Sequence, residues 1–230
     1  MNMKWNKKYN YPKSSRSIID GMRYYSIDNE KLPSCTEILE LTKPEKDKEA
    51  LRKWQADVGK EESQRISNEA TSRGSAMHKI LENFLTNRLN GDLLEKDDLA
   101  EKMANEIIEH GIKEKFTEIY GVEATLWYPQ KFSGTCDAVG IYSGAEAILD
   151  FKNSRSPKKK SWITSYLLQV ALYSLAHNKI FNSNITKGVI LMCSTDLTFQ
   201  KFEVEGQEFI KLQEDAMKRV DLFYEMISKG

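Results

Sequence analysis

The stretch 134–173 places the strictest limit on how this chain can fold, because it must bring charged side chains together beside apolar strands. It reads Gly134-Thr135-Cys136-Asp137, then Asp150-Phe151-Lys152, then Gln169-Val170-Ala171-Leu172-Tyr173. The apolar runs from Ala138 to Tyr142 and from Ala147 to Leu149, bounded by Gly and Ser, predict two strands. Ser143-Gly144 is the expected turn of a hairpin between them. Side chains alternate faces along a strand, so Asp150 and Lys152 are expected on one face and Phe151 on the other. The hairpin would bring Asp137 beside Asp150. Two carboxylates and a lysine converging at a strand end are costly to bury unless something neutralises them, and a divalent cation is the natural candidate. Asp-x-Lys alone is a weak signal, since such an aspartate is usually a turn former and such a lysine usually solvated. The combination with Gly-x-x-Asp and Gln-x-x-x-Tyr carries the argument.

The chain before this stretch reads as mainly helical. Residues 1–16 hold Lys4, Lys7, Lys8, Lys13 and Arg16 with no acidic residue, and Trp5, Tyr9 and Tyr11 lie between them. Such an arm either touches nucleic acid, through phosphate charge and base stacking, or is an ordinary solvated terminus. Ser34-Cys35-Thr36-Glu37 can cap a helix that ends before Pro44, and 45–58 reads as a second helix interrupted by Gly59. Residues 60–72 are polar and ambiguous. Met77, Ile80, Leu81, Phe84 and Leu85 then form a helical apolar stripe, with His78 at its margin. After Gly91-Asp92 a long helical pattern is expected to reach about Tyr120, with Gly121 ending it. Alternation from Val122 to Tyr128 predicts the first strand; Glu123 on it is either a supporting group beside the site or a solvated edge residue.

Beyond Lys152, residues 153–160 read as a loop with Arg155, Lys158, Lys159 and Lys160, either phosphate-binding or simply solvated. Trp162, Tyr166, Gln169 and Tyr173 share one face of the next helix. An amide such as Gln169 on an aromatic face needs hydrogen-bond partners. A fourth strand over 187–193, a fifth over 199–204 and a helix over 207–227 complete the pattern.

The order of these motifs resembles the PD-(D/E)XK nucleases, in particular their RecB-like exonuclease branch. Pro33 to Leu39, Trp54, Arg73 to Glu82 and Trp162 to Tyr173 look like the mitochondrial genome maintenance exonucleases and their phage relatives. The resemblance implies an α/β (α+β) fold: a central mixed sheet flanked by helices, with an N-terminal helical arch. Residues 1–32 would be a basic arm and 33–230 one nuclease domain, divided into an arch (33–72) and a core (73–230). It implies Mg²⁺ or Mn²⁺ held by His78, Asp137, Asp150 and the Phe151 carbonyl, with Lys152 orienting the attacking water and Gln169 and Tyr173 positioning the site. Contacts to the nucleic acid fall to Ser34, Thr36, Arg73, Ser154, Arg155, Lys158, Lys159, Lys160 and Trp162. The implied substrate is DNA, single-stranded and threaded from a free end, in phage or bacterial replication, recombination or repair. The alternatives are a double-strand-processing exonuclease of the λ-exonuclease type, an endonuclease on the same core, or a non-catalytic nucleic-acid-binding module.

Composition narrows the partners. Thirty-four basic residues balance thirty-four acidic ones, so any nucleic acid must be held by a local patch rather than by bulk charge. No apolar run is long enough for a membrane span or a signal peptide, so a cytoplasmic protein without a targeting signal is expected. The three cysteines, Cys35, Cys136 and Cys193, are too few for the four-cysteine iron–sulfur cluster that some RecB-like nucleases carry.

Overall fold

A computed structural model describes residues 3–27, 29–87 and 98–229. Its elements are β1 (Lys4–Trp5), β2 (Ser15–Ile19), β3 (Met22–Ile27), β4 (Glu30–Pro33), α1 (Cys35–Leu41), α2 (Glu45–Val58), α3 (Lys60–Leu85), α4 (Asp98–Ile107), β5 (Phe116–Tyr128), β6 (Phe132–Tyr142), β7 (Ala145–Ser154), α5 (Thr164–Phe181), β8 (Lys187–Ser194), β9 (Phe199–Glu205) and α6 (Gly206–Ser228). A six-stranded sheet runs in the order β1-β5-β6-β7-β8-β9, and β2, β3 and β4 form a separate three-stranded sheet. β5, β6 and β7 are an antiparallel meander; β7 and β8 run parallel, joined through α5, and β9 returns antiparallel. The fold is therefore a mixed sheet flanked by helices.

Each face of the large sheet carries its own core. On one face α1, α5 and α6 pack Ile38, Leu172, Val220 and Phe223 against Val139 and Ile190. On the other, α3 and α4 pack Met77, Leu81, Met103 and Ile107 against Ala138, Leu149, Phe151 and Leu191. Central strands buried on both faces explain the near-continuous apolar run of β8, every residue of which is buried. The β6–β7 hairpin turns at Ser143 (φ 48°) and Gly144 (φ 84°), the paired positive φ values that match the right-handed twist of the strands.

Two expectations are corrected and one ambiguous stretch is resolved. The segment 116–120 is strand rather than helix. α4 stops at Ile107, a π-helical turn follows over Ile108–Ile112, and Glu114 turns the chain at φ 64°. β5 then starts at Phe116, and two register shifts against β6 let Phe116 and Ile119 face one core and Tyr120 the other. Those bulges hide the period-2 signal. The Gly91-Asp92 start of the expected helix lies outside the described residues. Second, 60–72 is part of one unbroken helix, α3. Third, the N-terminal segment is built into the fold. β1 extends the large sheet beside β5, and Tyr9 and Tyr11 pack on Phe181 and His177 instead of standing free for bases.

His177 is fully buried there. The Ser183 hydroxyl donates to Asn178 Oδ1 at 2.8 Å, so at 2.7 Å it accepts from His177 Nδ1–H. That leaves Nε2 to accept from the Tyr11 hydroxyl at 3.0 Å. Both nitrogens are satisfied in the neutral ring. Burial pushes its pKa down to about 4, with weaker opposing effects from Glu146 (up) and Lys8 (down). The unfolded chain takes up a proton near pH 6.5 that the folded chain refuses. Stability from this residue is thus complete above roughly pH 6.5 and lost as the pH falls toward 4, on the order of 3 kcal/mol. His177→Phe should flatten the pH dependence of the urea midpoint over that window relative to the wild type. An unchanged slope would refute the account.

Candidate active site

The site forms where β6 and β7 part. Their last paired residues are Ala138 and Leu149; beyond them β7 continues beside β8 alone, through Asp150, Phe151 and Lys152. Two backbone groups of Phe151 then need new partners. Asp137 Oδ2 accepts the Phe151 N–H at 2.6 Å, and His78 Nε2–H donates to the Phe151 carbonyl at 2.8 Å. His78 comes from α3, and its Nδ1 lies 3.4 Å from Asp137 Oδ1. Asp137 and Asp150 are 8% and 1% exposed, so their charges must be met inside the protein.

Lys152 forms an ion pair with Asp150 Oδ2. Gln169 Nε2, from α5, donates to Asp150 Oδ1 at 3.2 Å and lies 3.0 Å from the Tyr173 hydroxyl. Those are the partners that the amide required. Gly134 has a steric role in this arrangement: a Cβ there would come within 2.7 Å of Tyr173 Cε1 and 3.1 Å of Cys35 Sγ. The glycine of Gly-x-x-Asp lets the tyrosine ring close on β6.

The electrostatics follow from burial and pairing. Burial pulls His78 down, but the charge of Asp137 and its hydrogen bond outweigh it and carry the imidazole up to about 9. Burial would raise Asp137; His78, Lys152 and the Phe151 N–H instead hold it below the usual carboxylate range. Asp150 is lifted by burial, and further by Asp137, to about 6, while Lys152 and His78 oppose the rise. Burial acts to lower Lys152, and the two aspartates more than offset it, so the lysine stays charged. At neutral pH, two cations face two carboxylates.

Glu123 joins them from β5. It lies between the pairs Val122–Ala138 and Ala124–Cys136, hence opposite Asp137, with φ 49°. Burial, then the neighbouring Asp137, raises it to about 7, although its side chain opens to solvent. His78, Glu123 and Asp137 each offer a ligand atom, all within 4.8 Å of one another. Sequence reading left Glu123 as either a supporting group beside the site or a solvated edge residue; the signal that was available is Gly121, two residues before it, where β5 bulges. Asp150 stands outside this trio, bound to Lys152 and Gln169. A cleft of about 610 Å³ opens over His78, Glu123, Phe151 and Lys152, and Arg16 of β2, expected only as part of a basic arm, lines it.

The residues expected to meet nucleic acid are dispersed. Ser34 is buried and its hydroxyl is shared with Thr36 at 2.7 Å, so it lies beneath the surface. Ser154 is buried too and donates to the Ser156 carbonyl. Lys160 pairs with Glu208 at 2.7 Å. Trp162 is 61% exposed, in a short turn before α5 and not in the core, with Lys159 Nζ 5.5 Å from its ring. Arg73, Arg155 and Lys158 line one cavity.

In the order of its motif residues the chain resembles the PD-(D/E)XK-like nucleases. No family model matches it. It is 26% identical over 181 residues to the mitochondrial genome maintenance exonuclease 1 of Mus musculus, an alignment covering 74% of this chain and 52% of that protein. The chain thus spans about half the length of this curated relative. Among solved structures it is similar to the alkaline exonuclease LHK-Exo of Laribacter hongkongensis, with 12% identity, 67% of this chain and 79% of that chain covered, and a TM-score of 0.38.

The fit of Tyr173 against Gly134 is open to test. Gly134→Ala should cost about 1–3 kcal/mol by overpacking, read from chemical denaturation. Combined with Tyr173→Ala, which empties the contested space, the loss should fall below the sum of the two single losses. Strict additivity would show that the glycine serves some other purpose.

Proposed function

We propose that this protein is a metal-dependent DNA exonuclease that hydrolyses phosphodiester bonds of a single strand entering by a free end. The observation that carries the reading is the convergence, at one strand end, of the His78–Glu123–Asp137 trio with the Lys152–Asp150 pair. Their donor set of carboxylate oxygens, a carbonyl and one imidazole suits Mg²⁺ and, with the nitrogen, Mn²⁺. Asp137, Asp150, the Phe151 carbonyl and His78 would hold the ion, with Glu123 as a further carboxylate. Bound there, such an ion supplies an acidified water and neutralises phosphate charge.

The chain's own residues supply the rest. Lys152 stays charged between two aspartates, so it orients the attacking water and stabilises the charge that develops on the phosphate rather than acting as the base. Gln169 and Tyr173 fix the rotamer of Asp150 from α5. Arg16 and Tyr166, at the walls of the cleft, flank the path of the strand. α2 has no buried residue, and α3 up to Arg73 buries only Ser63, so this helical pair stands off the core as an arch would. A gap beneath such an arch would pass a flexible strand and exclude a duplex about 20 Å across.

End-labelled linear single strands, with 5′ or 3′ blocks, circular single strands and blunt duplex, each in Mg²⁺ and in Mn²⁺, test the reading. Linear strands should be degraded, and circles and blunt duplex largely spared. Lys152→Ala should abolish cleavage with DNA affinity nearly intact, and Glu123→Gln should weaken Mn²⁺ binding by about tenfold or more. Rapid cutting of circles would make the protein an endonuclease, and wild-type rates in the lysine variant would remove that residue from the mechanism.

A further inference from the structure

On the far side of Asn153 from the metal cleft lies a second cavity of about 370 Å³, between α3 and the loop after β7. Asn153 is the wall between the two: its Nδ2 donates to the Ala70 carbonyl at 3.2 Å, tying β7 to α3. Gly74 makes this crossing possible, since a Cβ there would meet Asn153 Nδ2 at 2.4 Å. Tyr166 borders both cavities. They are neighbours along one path.

The charges of the second cavity are not closed. Glu62 and Glu69 are both taken by Arg65, with Arg65 Nη2 2.7 Å from Glu62. Arg73, Arg155 and Lys158 have no ion-pair partner among the described residues, which leaves an excess of two positive charges in the lining. Moreover, Arg73 Nε is buried and has no hydrogen-bond acceptor. A buried guanidinium N–H without an acceptor costs about 1–3 kcal/mol or more, and guanidinium forks match phosphate oxygens.

We infer that this cavity is a phosphate subsite, which holds a phosphate of the DNA strand other than the one in the metal cleft, with Arg73 as its fixed donor and Arg155 and Lys158 closing from the loop. The inference deepens the nuclease reading and rests on it for the identity of the strand. Arg73 is here a positioning residue: it sets the register of the strand, and Asn153 keeps its phosphate apart from the scissile one.

Binding and cleavage of short single strands by the wild type, Arg73→Gln, Arg73→Lys and Arg155→Gln provide the test. Arg73→Gln should raise KM about tenfold with kcat little changed, and lower the slope of log affinity against log salt by about one. Arg73→Lys should restore part of the affinity. Arg155→Gln, on an exposed loop, should move the same quantities with no risk to folding. Strands ending in 5′-phosphate, 3′-phosphate or hydroxyl separate the sources: a terminal phosphate gives an end preference that Arg73→Gln erases, and an internal phosphodiester gives the same loss with every end. Unchanged affinity and salt slope in both glutamine variants would overturn the inference. Should the wild type cleave nothing, calorimetric titration with pyrophosphate keeps the two claims apart. Binding that Arg73→Gln abolishes would support the subsite alone, and no binding to the wild type would sink the subsite as well.

Discussion

The acceptance of the Phe151 N–H by Asp137 is the contact on which the rest of the site depends. Where β6 leaves β7, the inner edge of β7 is stripped of its partner, and a buried backbone group without a partner costs as much as a lost hydrogen bond. The carboxylate of Asp137 replaces the missing strand for the N–H, and His78 replaces it for the carbonyl. One divergence of two strands thus recruits an acid and an imidazole to the same spot. It also explains why the aspartate sits immediately before an apolar run: Ala138 is the last residue of β6 that pairs with β7, so Asp137 is the first one free to turn toward it.

Once these charges are buried, removing any one of them alone costs stability. Asp150 is 1% exposed and relies on Lys152, whose own charge depends on the two aspartates. Breaking such a group by deleting one partner leaves the others uncompensated, which costs about 3–5 kcal/mol. Helices on opposite faces supply the two halves: α3 brings His78 to Asp137, and α5 brings Gln169 to Asp150. The site is therefore only as rigid as the packing of both faces. That packing includes the N-terminal segment, whose Tyr9 and Tyr11 lean on α5 through His177 and Phe181.

How much of this was legible from sequence varies with the physics of each element. The β6–β7 hairpin was, because Ser143-Gly144 is a two-residue turn that tolerates positive φ and both flanks are apolar. Gln169 was legible as a problem, an amide in need of partners, although not which partners. Glu123 was half visible: its neighbours alternate, but φ 49° swings it opposite Asp137, and no period predicts that. The strand character of 116–120 was hidden because bulges change which residues face inward, and Phe116, Ile119 and Tyr120 then mimic a helical spacing. The small sheet of β2 to β4 was missed for another reason. Its β2 strand is largely exposed on both faces, so burial wrote no alternation into its sequence.

Zero net charge, finally, is compatible with holding a polyanion because of how the charges are partitioned. On α2 and the first half of α3 the pairs Arg52–Glu45, Arg65–Glu62 and Arg65–Glu69 cancel one another. Exposed pairs of this kind contribute at most about 1 kcal/mol to stability, but they silence the local field. Against that quiet background the unpaired Arg73, Arg155 and Lys158 stand out, concentrated in one concave space next to the cleft over His78 and Glu123. Asn153 stands between the two spaces. Potentials within clefts are focused by their low-dielectric walls, so it is this local concentration of unpaired cations, and not the total charge, that decides where an anion can rest.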